Sequence, residues 1–268
     1  MNQFSSSTPP SVSIPTAKDF LTPATAISLH NLSFSYPDNP HILVDISLSI
    51  REGERVGLIG HNGCGKTTLF RLICGLLPPQ TGTIQLFDQP VQPNQFRSEI
   101  GFLFQDPEDQ LFSPSVRDDI AFGPQNLGLS EAEVTERVEA ALELTGIKAL
   151  EDRPPHHLSG GEKQMVAIAG LVAMCPRVLL NDEPTASLQR SDETLLLASH
   201  DLEFLLEVCD RVVLIDEGRI IADGDPVEVM GDQTLMEAHG LEKPHSLIPH
   251  VEPHHAQRDR LAQLPLEG

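Results

Sequence analysis

The sequence predicts an α/β fold with a mainly parallel core sheet, an antiparallel β subdomain and a helical insert. The runs RVGLIG, VLLND, TLLLAS and RVVLID are short and continuously apolar, as is typical of strands buried on both faces. Near the start, ISLHNLSFSY and HILVDISLSI alternate apolar and polar residues, which predicts half-buried antiparallel strands. Because helical patterns separate most of the buried strands, we expect the core sheet to be largely parallel.

Three helices and one hairpin follow from local patterns. KTTLFRLICGLL has helical periodicity directly after the first buried strand. Ser130 and Glu133 form a capping box, S-x-x-E, before a helix that should end at Gly146. EKQMVAIAGLVAM, residues 162–174, predicts another helix, and RVVLIDEGRIIADG predicts a hairpin with its turn at EG.

Composition divides the chain into a leader, a body and a tail. Residues 1–25 are rich in Ser, Thr and Pro, which predicts a disordered leader. The body comprises residues 26–242, with a helical subdomain at about 106–170. Residues 243–268 contain four Pro and four His with little periodicity, so we expect a flexible tail.

Charge and hydropathy argue against several classes of protein. The formal net charge of −21 opposes a duplex-binding surface, which needs clustered Lys and Arg, so no nucleic-acid partner is expected. No apolar run approaches the roughly 18 residues of a membrane span, and no signal peptide is apparent. The four cysteines lack C-x-x-C spacing, which favours free thiols in a reducing compartment. We therefore expect a cytosolic protein that could serve a membrane only by docking onto other subunits.

The segment GHNGCGKTT, residues 60–68, predicts a phosphate-binding loop between a strand and a helix. Its glycines let backbone N–H groups point at phosphate, and the helix N-terminus adds partial positive charge. Lys66 would reach the β- and γ-phosphates, and the Thr67 hydroxyl can ligate Mg²⁺. A chance glycine-rich turn is the alternative, which the strand–loop–helix context disfavours. The predicted nucleotide-binding residues of the loop are Gly60, Asn62, Gly63, Cys64, Gly65, Lys66, Thr67 and Thr68.

A carboxylate pair ends the apolar run VLLND. Asp182 is placed to hold the metal through water, and Glu183 is the natural general base for the attacking water. A surface pair in a loop is the alternative, and it is disfavoured beside a phosphate loop. Asn181 stands where a buried strand usually carries an apolar residue, so its amide needs a partner or costs free energy.

LSGGEKQ, residues 158–164, together with the phosphate loop and the carboxylate pair, resembles the ATP-binding subunits of ABC transporters. The resemblance covers about residues 26–240 and implies a P-loop NTPase fold of ABC type with ATP and Mg²⁺ as cofactors. It also implies a second ATPase subunit, identical or related, because each chain supplies half of each of two ATP sites. ATP would close this dimer, and hydrolysis would open it.

The resemblance assigns roles to further residues. It implies that Tyr36 stacks on adenine, although an aromatic core residue at a strand end is the alternative. Gln105 would contact Mg²⁺ and the attacking water, and His200 would contact the γ-phosphate rather than serve a local cap. The signature residues that would close over the γ-phosphate bound by the other subunit are Ser159, Gly160 and Gly161. The implied metal ligands are Thr67, Gln105 and Asp182, and the implied catalytic groups are Glu183, His200 and Gln105.

A narrower resemblance lies in FQDPEDQLFSPSVRDDIAFGPQNLGL, residues 104–129, which is similar to energy-coupling ATPases of cobalt and nickel importers. Related subunits drive vitamin uptake. This implies a peripheral protein at the cytoplasmic face of the membrane, bound to integral membrane subunits. Leu111 and Phe112 are apolar residues in a polar loop, which either pack against a membrane subunit or are buried under the helical insert.

The histidines of the tail allow two interpretations. His245, His250, His254 and His255 could buffer nickel or cobalt, or the tail could be solvated without a ligand. The second interpretation is favoured for a histidine-containing segment without fixed ligand spacing.

The sequence departs from the family pattern after the carboxylate pair. Gln189, in SLQR, occupies the position of the loop aspartate, and about a dozen residues are missing before Thr194. Residues 183–193 can span a parallel crossover when extended, but they cannot also supply its covering helix. Met165 stands where the family usually has Arg. These departures leave open a catalytically impaired subunit that works with an intact partner, and a soluble ABC ATPase is a third possibility.

Overall fold

The computed structural model describes residues 24–182 and 193–248. The predicted leader, through residue 23, and the tail from residue 249 lie outside this range. Within it, no helix is long and apolar enough to cross a membrane.

The described residues form two sheets. The antiparallel sheet contains, in spatial order, β2 (Asn39–Arg51), β1 (Thr25–Tyr36), β4 (Thr81–Leu86) and β5 (Gln89–Pro90). The core sheet contains, in spatial order, β10 (Arg219–Gly224), β9 (Arg211–Asp216), β3 (Arg55–Ile59), β8 (Thr194–Ala198), β7 (Val178–Asp182) and β6 (Ile100–Leu103). All neighbours from β9 to β6 pair in parallel, and β10 pairs with β9 as an antiparallel hairpin. The predicted fold class is confirmed.

Seven α-helices accompany these sheets in the described part of the chain. They are α1 (Lys66–Ile73), α2 (Val116–Asn126), α3 (Glu131–Leu144), α4 (Gly160–Met174), α5 (Leu202–Val208), α6 (Pro226–Gly231) and α7 (Gln233–Ala238). The capping box predicted for α3 is present between Ser130 and Glu133. Helix α1 ends earlier than its apolar periodicity predicts, because Gly75 adopts a left-handed conformation two residues after Ile73.

Three buried clusters explain how the layers are held together. Helix α1 packs between the two sheets, where Phe70 lies among apolar residues of both, such as Ile46 and Leu180. On the other face of the core sheet, α4 to α7 cover the strands, with Ile168 and Met230 in one cluster. Helices α2, α3 and α4 share a third cluster. Because α4 belongs to both of the last two clusters, it joins the helical insert to the core.

The shortened connection joins adjacent parallel strands. Strands β7 and β8 pair from Val178 with Thr194 to Asp182 with Ala198. The face that lacks a crossover helix of usual length was predicted to be exposed or covered by another element. Leu195 and Leu197 are each 4% exposed and belong to the cluster that contains residues of α4 and α5. Residues 183–192, including Gln189, lie outside the described structure.

The first residues of the predicted tail contact the domain. Lys243 Nζ donates to the Gly231 carbonyl at 2.8 Å, and Ser246 Oγ donates to Glu203 at 2.6 Å. His245 begins a short 3₁₀ turn, whereas His250, His254 and His255 lie beyond the described residues. Among residues 24–182 and 193–248, no group of three or more His, Cys, Asp or Glu could hold a metal ion.

Candidate functional site

The parallel strands of the core sheet bring the predicted site residues to one edge. The phosphate loop follows β3, His200 follows β8, Asp182 ends β7 and Gln105 follows β6. These strands are consecutive neighbours in the sheet, so their carboxyl ends meet. This is the edge at which ligands bind in open parallel α/β sheets.

A cavity of about 260 Å³ opens at this edge. The residues that line it are Tyr36, Asn39, Ile42, Asn62, Gly63, Gly65, Lys66, Thr67, Thr68, Gln105, Asp182 and His200. Most of the predicted nucleotide and metal contacts of one chain therefore surround a single space.

Close backbone contacts fix the phosphate loop at both ends. Gly60 has φ 152°, and a Cβ there would lie 2.2 Å from the carbonyl oxygen of Ile215 on β9. Gly65 has φ 108°, and a Cβ there would lie 2.9 Å from the carbonyl oxygen of Ile42 on β2. Only glycine allows the loop to lie against both sheets without displacing their backbones.

Lys66 is folded back onto the loop. It is 7% exposed, and its Nζ donates to the carbonyl oxygens of Gly60 at 2.7 Å and His61 at 3.1 Å. Buried charges need such partners, and here the loop itself provides them. The ammonium group is thus held at the base of the cavity that it lines.

Thr67, Asp182 and Gln105 present oxygen atoms to the same space. The Thr67 hydroxyl donates to Asp182 Oδ2 at 2.5 Å, which joins the start of α1 to the end of β7. Asp182 is 5% exposed, whereas Gln105 is exposed on the loop after β6. Hydroxyl, carboxylate and amide oxygens are hard donors, so this set fits Mg²⁺ together with phosphate oxygens.

Tyr36 and His200 lie at the cavity wall. The Tyr36 hydroxyl is 3.5 Å from Thr68 Oγ1, and its ring meets Phe34 edge-on at 4.9 Å between centroids. The half-buried ring is therefore held at the end of β1 while it still borders the cavity. His200 is exposed directly after β8.

The signature residues occupy a different surface. Ser159 is the N-cap of α4, and it exchanges hydrogen bonds with Glu162 in a capping box. The Ser159 hydroxyl and backbone N–H lower the pKa of the half-buried Glu162 carboxyl by donating to it. Ser159, Gly160 and Gly161 are exposed and are not among the described residues that line the cavity.

A second cavity of about 490 Å³ adjoins the first. Thr67, Gln105 and Asp182 border both cavities. The remaining wall comes from Arg71, Phe102, Phe104 and the segment from Asp106 to Asp109. Gln105 thus separates the phosphate-loop cavity from the loop that leads into the helical insert.

Leu111 and Phe112, the two apolar residues of this loop, lie in different environments. Leu111 is half-buried and packs against both clusters that contain α4. Phe112 is 66% exposed and meets Phe122, itself 47% exposed, edge-on at 4.7 Å between ring centroids. Leu111 is therefore partly buried by the insert, as one of the two interpretations predicts, whereas Phe112 is exposed at the surface, where a partner could contact it.

Asn181 is buried in β7, where an amide without a hydrogen-bond partner is expected to cost free energy. It is 1% exposed between Leu103 of β6 and Leu197 of β8. Neither amide atom has a hydrogen-bond partner among the described residues. This residue is a candidate point of instability beside Asp182.

Several features of the edge were not predicted. Asn39 and Ile42, at the start of β2, complete the cavity wall because the β1–β2 hairpin folds over the phosphate loop. Asp216, at the end of β9, lies beside His61 of the loop. Its position at the carboxyl end of a buried strand could have predicted that it lies near the phosphate loop. Glu183, the predicted base, lies outside the described residues.

Sequence comparison decides the family. The ABC transporter family profile matches residues 43–186. The chain belongs to the ABC transporter family. The matched residues include the glycine-rich loop at 60–68, the LSGGEKQ segment at 158–164 and Asp182.

Relatives of this ABC protein include an ATP-binding protein of an energy-coupling factor transporter. A Synechocystis sp. protein provisionally named an ABC transporter ATP-binding protein is 60% identical over 234 residues, covering 83% of this chain and 82% of the relative. The energy-coupling factor transporter ATP-binding protein EcfA of Methanothermobacter thermautotrophicus is 42% identical, covering 81% and 76%. The structure of CbiO1 of Clostridium perfringens, part of the ABC transporter complex CbiONQ, matches with TM-score 0.68 and 37% identity, covering 80% and 94%.

Proposed function

We propose that this chain binds and hydrolyses ATP to energise a membrane importer of the energy-coupling factor type. The observation that carries the proposal is the single cavity bordered by Tyr36, Lys66, Thr67, Asp182 and His200. It combines an aromatic face for adenine with a cationic phosphate loop and oxygen donors for a metal. The similarity to EcfA and CbiO1 supports an importer.

Each residue of the site would have a separate role in phosphoryl transfer. Lys66 and the loop N–H groups bind and neutralise the phosphates. Thr67, Asp182 and Gln105 would hold Mg²⁺, which supplies charge neutralisation when bound. Glu183 would accept the proton of the attacking water, and His200 would orient the γ-phosphate.

We propose that two subunits form the complete site. Ser159, Gly160 and Gly161 are exposed at the start of α4, outside the cavity that the same chain provides. A second subunit can bring this helix N-terminus to the γ-phosphate, where the helix dipole favours an anion. The partner would be a second copy or a related ATPase.

ATP hydrolysis tests this proposal directly. Purified full-length protein should release phosphate from ATP with Mg²⁺, and Glu183→Gln should lower kcat by about 100-fold or more because the base is lost. Glu193→Gln, on the same connection, is the matched control and should retain wild-type kcat. Background activity in the wild-type protein would contradict a catalytic homodimer and would favour the impaired subunit with an intact partner.

We propose that the partners at the membrane are integral transporter subunits, which hold this chain at the cytoplasmic face. Phe112 and Phe122 form an exposed apolar pair beside the segment that begins at Gln105. Membrane subunits should co-purify with the wild-type chain, and Phe112→Ser with Phe122→Ser should reduce this recovery. Phe96→Ser, at another exposed aromatic residue, is the control. Retention of ATPase activity without any membrane partner would favour a soluble ABC ATPase.

Cobalt, nickel or a vitamin is the proposed solute, on the basis of the sequence resemblance in residues 104–129. Uptake of each by cells that contain or lack the chain, measured with labelled solute, tests this choice. Deletion of residues 249–268 should leave Ni²⁺ binding by calorimetry unchanged if the tail is only solvated.

A further inference from the structure

Two histidines from distant parts of the chain meet one carboxylate behind the phosphate loop. Asp216 ends β9 and lies 2.8 Å from Nε2 of His61 in the loop. Its other carboxylate oxygen is 2.6 Å from Nδ1 of His239, which follows α7. The Asp216 and His239 side chains are 15% and 21% exposed, so their contact is partly shielded from solvent, whereas the His61 side chain is 46% exposed. Asp216 therefore joins the phosphate loop to the helices after the core sheet.

The partners of His61 fix the position of its ring. Nδ1 lies 2.7 Å from the carbonyl oxygen of Asn62, while Nε2 lies 2.8 Å from Asp216. The ring is therefore held between a backbone carbonyl and a carboxylate.

The environment of Asp216 supports an ionised carboxylate. Burial acts to raise its pKa, but hydrogen bonds from His239 and the Glu217 N–H, with the charges of both histidines, outweigh burial. The net direction is a pKa below the ordinary value for aspartate. The Glu217 N–H donates to the same oxygen that faces His61, at 2.9 Å.

The Asn62 contact orients the peptide that follows it. The C=O and N–H of a trans peptide point in opposite directions. Because the Asn62 carbonyl is held toward the His61 ring, the Gly63 N–H is directed away from that ring. Asn62 and Gly63 both line the cavity, while His61 is not among the described residues that do. Fixing this carbonyl thus helps aim a loop N–H group at bound phosphate.

We propose that His61, Asp216 and His239 are positioning residues for ATP, through which the region after β10 sets the geometry of the phosphate loop. Asp216 holds His61 in place, His61 orients the Asn62–Gly63 peptide, and His239 holds Asp216 from the other side. None of the three needs to contact ATP. The effect on affinity rests on the proposed ATP-binding function, whereas the orientation of the Asn62–Gly63 peptide does not.

Nucleotide affinity tests the relay. In the full-length protein, Asp216→Asn should raise the Kd and KM for Mg-ATP about fivefold while kcat at saturating ATP changes less than about twofold. His239→Gln should raise the Kd about twofold, with no further rise when Asp216 is already Asn, because it acts through that carboxylate. Asp223→Asn, which removes a carboxylate paired with Arg211 on the same hairpin, should leave the Kd unchanged.

A spectroscopic measurement separates this inference from the proposed function. In the full-length protein without nucleotide, the backbone amide resonances of Asn62 and Gly63 should shift in Asp216→Asn and should stay in place in Asp223→Asn. Unshifted resonances in Asp216→Asn, an unchanged Kd in Asp216→Asn, or additive effects of His239→Gln would overturn the relay. Shifted resonances in a protein that binds no ATP would instead contradict the proposed function and the effect on affinity, leaving only the hydrogen-bonded link.

Discussion

At the scale of single residues, the buried polar groups near the phosphate loop differ in whether they have a hydrogen-bond partner. Lys66 is buried but donates to two loop carbonyls, and Asp182 is buried but accepts from Thr67. Asn181 is equally buried and has no partner among the described residues. The charged groups are thus paired, while no described residue pairs with the neighbouring amide.

Replacing Asn181 should therefore stabilise the fold. Asn181→Val removes both unpaired amide atoms and introduces a residue that suits a buried strand, so we expect a gain of about 1–3 kcal/mol in the free energy of unfolding. Urea denaturation measures this gain. Asn181→Asp, which has nearly the same shape, should destabilise because it buries a charge. A loss of stability in Asn181→Val would mean that water or another group satisfies the amide.

Asp216 should give stability a defined dependence on pH. Because its folded-state pKa is lowered, its contribution is fully present above the unfolded pKa, about 3.9, and is lost as pH falls through the folded value. The difference in unfolding free energy between wild type and Asp216→Asn should shrink as pH falls below about 4. A difference that instead grew toward acid would contradict the direction of this shift.

At the scale of elements, two helices begin with the same local device but are expected to serve different purposes. Ser130 and Ser159 each form a capping box with the glutamate three residues later. In α3 the box only begins a helix of the insert, whereas in α4 it lies in the signature segment. The same capping box therefore has a structural role in α3 and a proposed additional role in ATP binding in α4.

Alanine substitutions at the two caps form a matched pair. Ser130→Ala and Ser159→Ala should each lower the free energy of unfolding by about 1 kcal/mol, since each removes one N-cap hydrogen bond. Only Ser159→Ala should also lower ATPase kcat, by about tenfold or more, if the hydroxyl contacts phosphate in the closed dimer. Thermal unfolding and phosphate release measure the two effects. Equal ATPase loss in both variants would assign the effect to folding.

At the scale of the whole molecule, the proposed ATP site is divided between two surfaces. The cavity lies at the carboxyl edge of the core sheet, and the LSGGEKQ segment begins a helix that joins the insert to the core. Through this helix, the proposed closure around nucleotide would move the insert, near which Phe112 and Phe122 are exposed.

ATP should drive this closure into a stable dimer when hydrolysis is blocked. Glu183→Gln with Mg-ATP should double its mass in light scattering, because nucleotide is held between two subunits and is not consumed. Addition of Lys66→Ala to this variant should keep the protein monomeric with ATP, since phosphate binding is lost. A dimer that forms equally with and without ATP would contradict nucleotide-driven assembly.

Local sequence patterns were sufficient to predict the fold class, the glycine-rich loop between β3 and α1, and helices α3 and α4. These features depend on local requirements, since apolar runs mark buried strands, glycines permit a tight loop, and a capping box begins a helix. Short elements such as β6 and α5 escaped prediction because their few residues carry little periodic signal. The folded arrangement was needed to learn that β9 lies beside β3, which brings Asp216 to His61, and that the β1–β2 hairpin covers the loop. Such contacts join residues far apart in the chain, and they arise from strand order and packing rather than from local pattern.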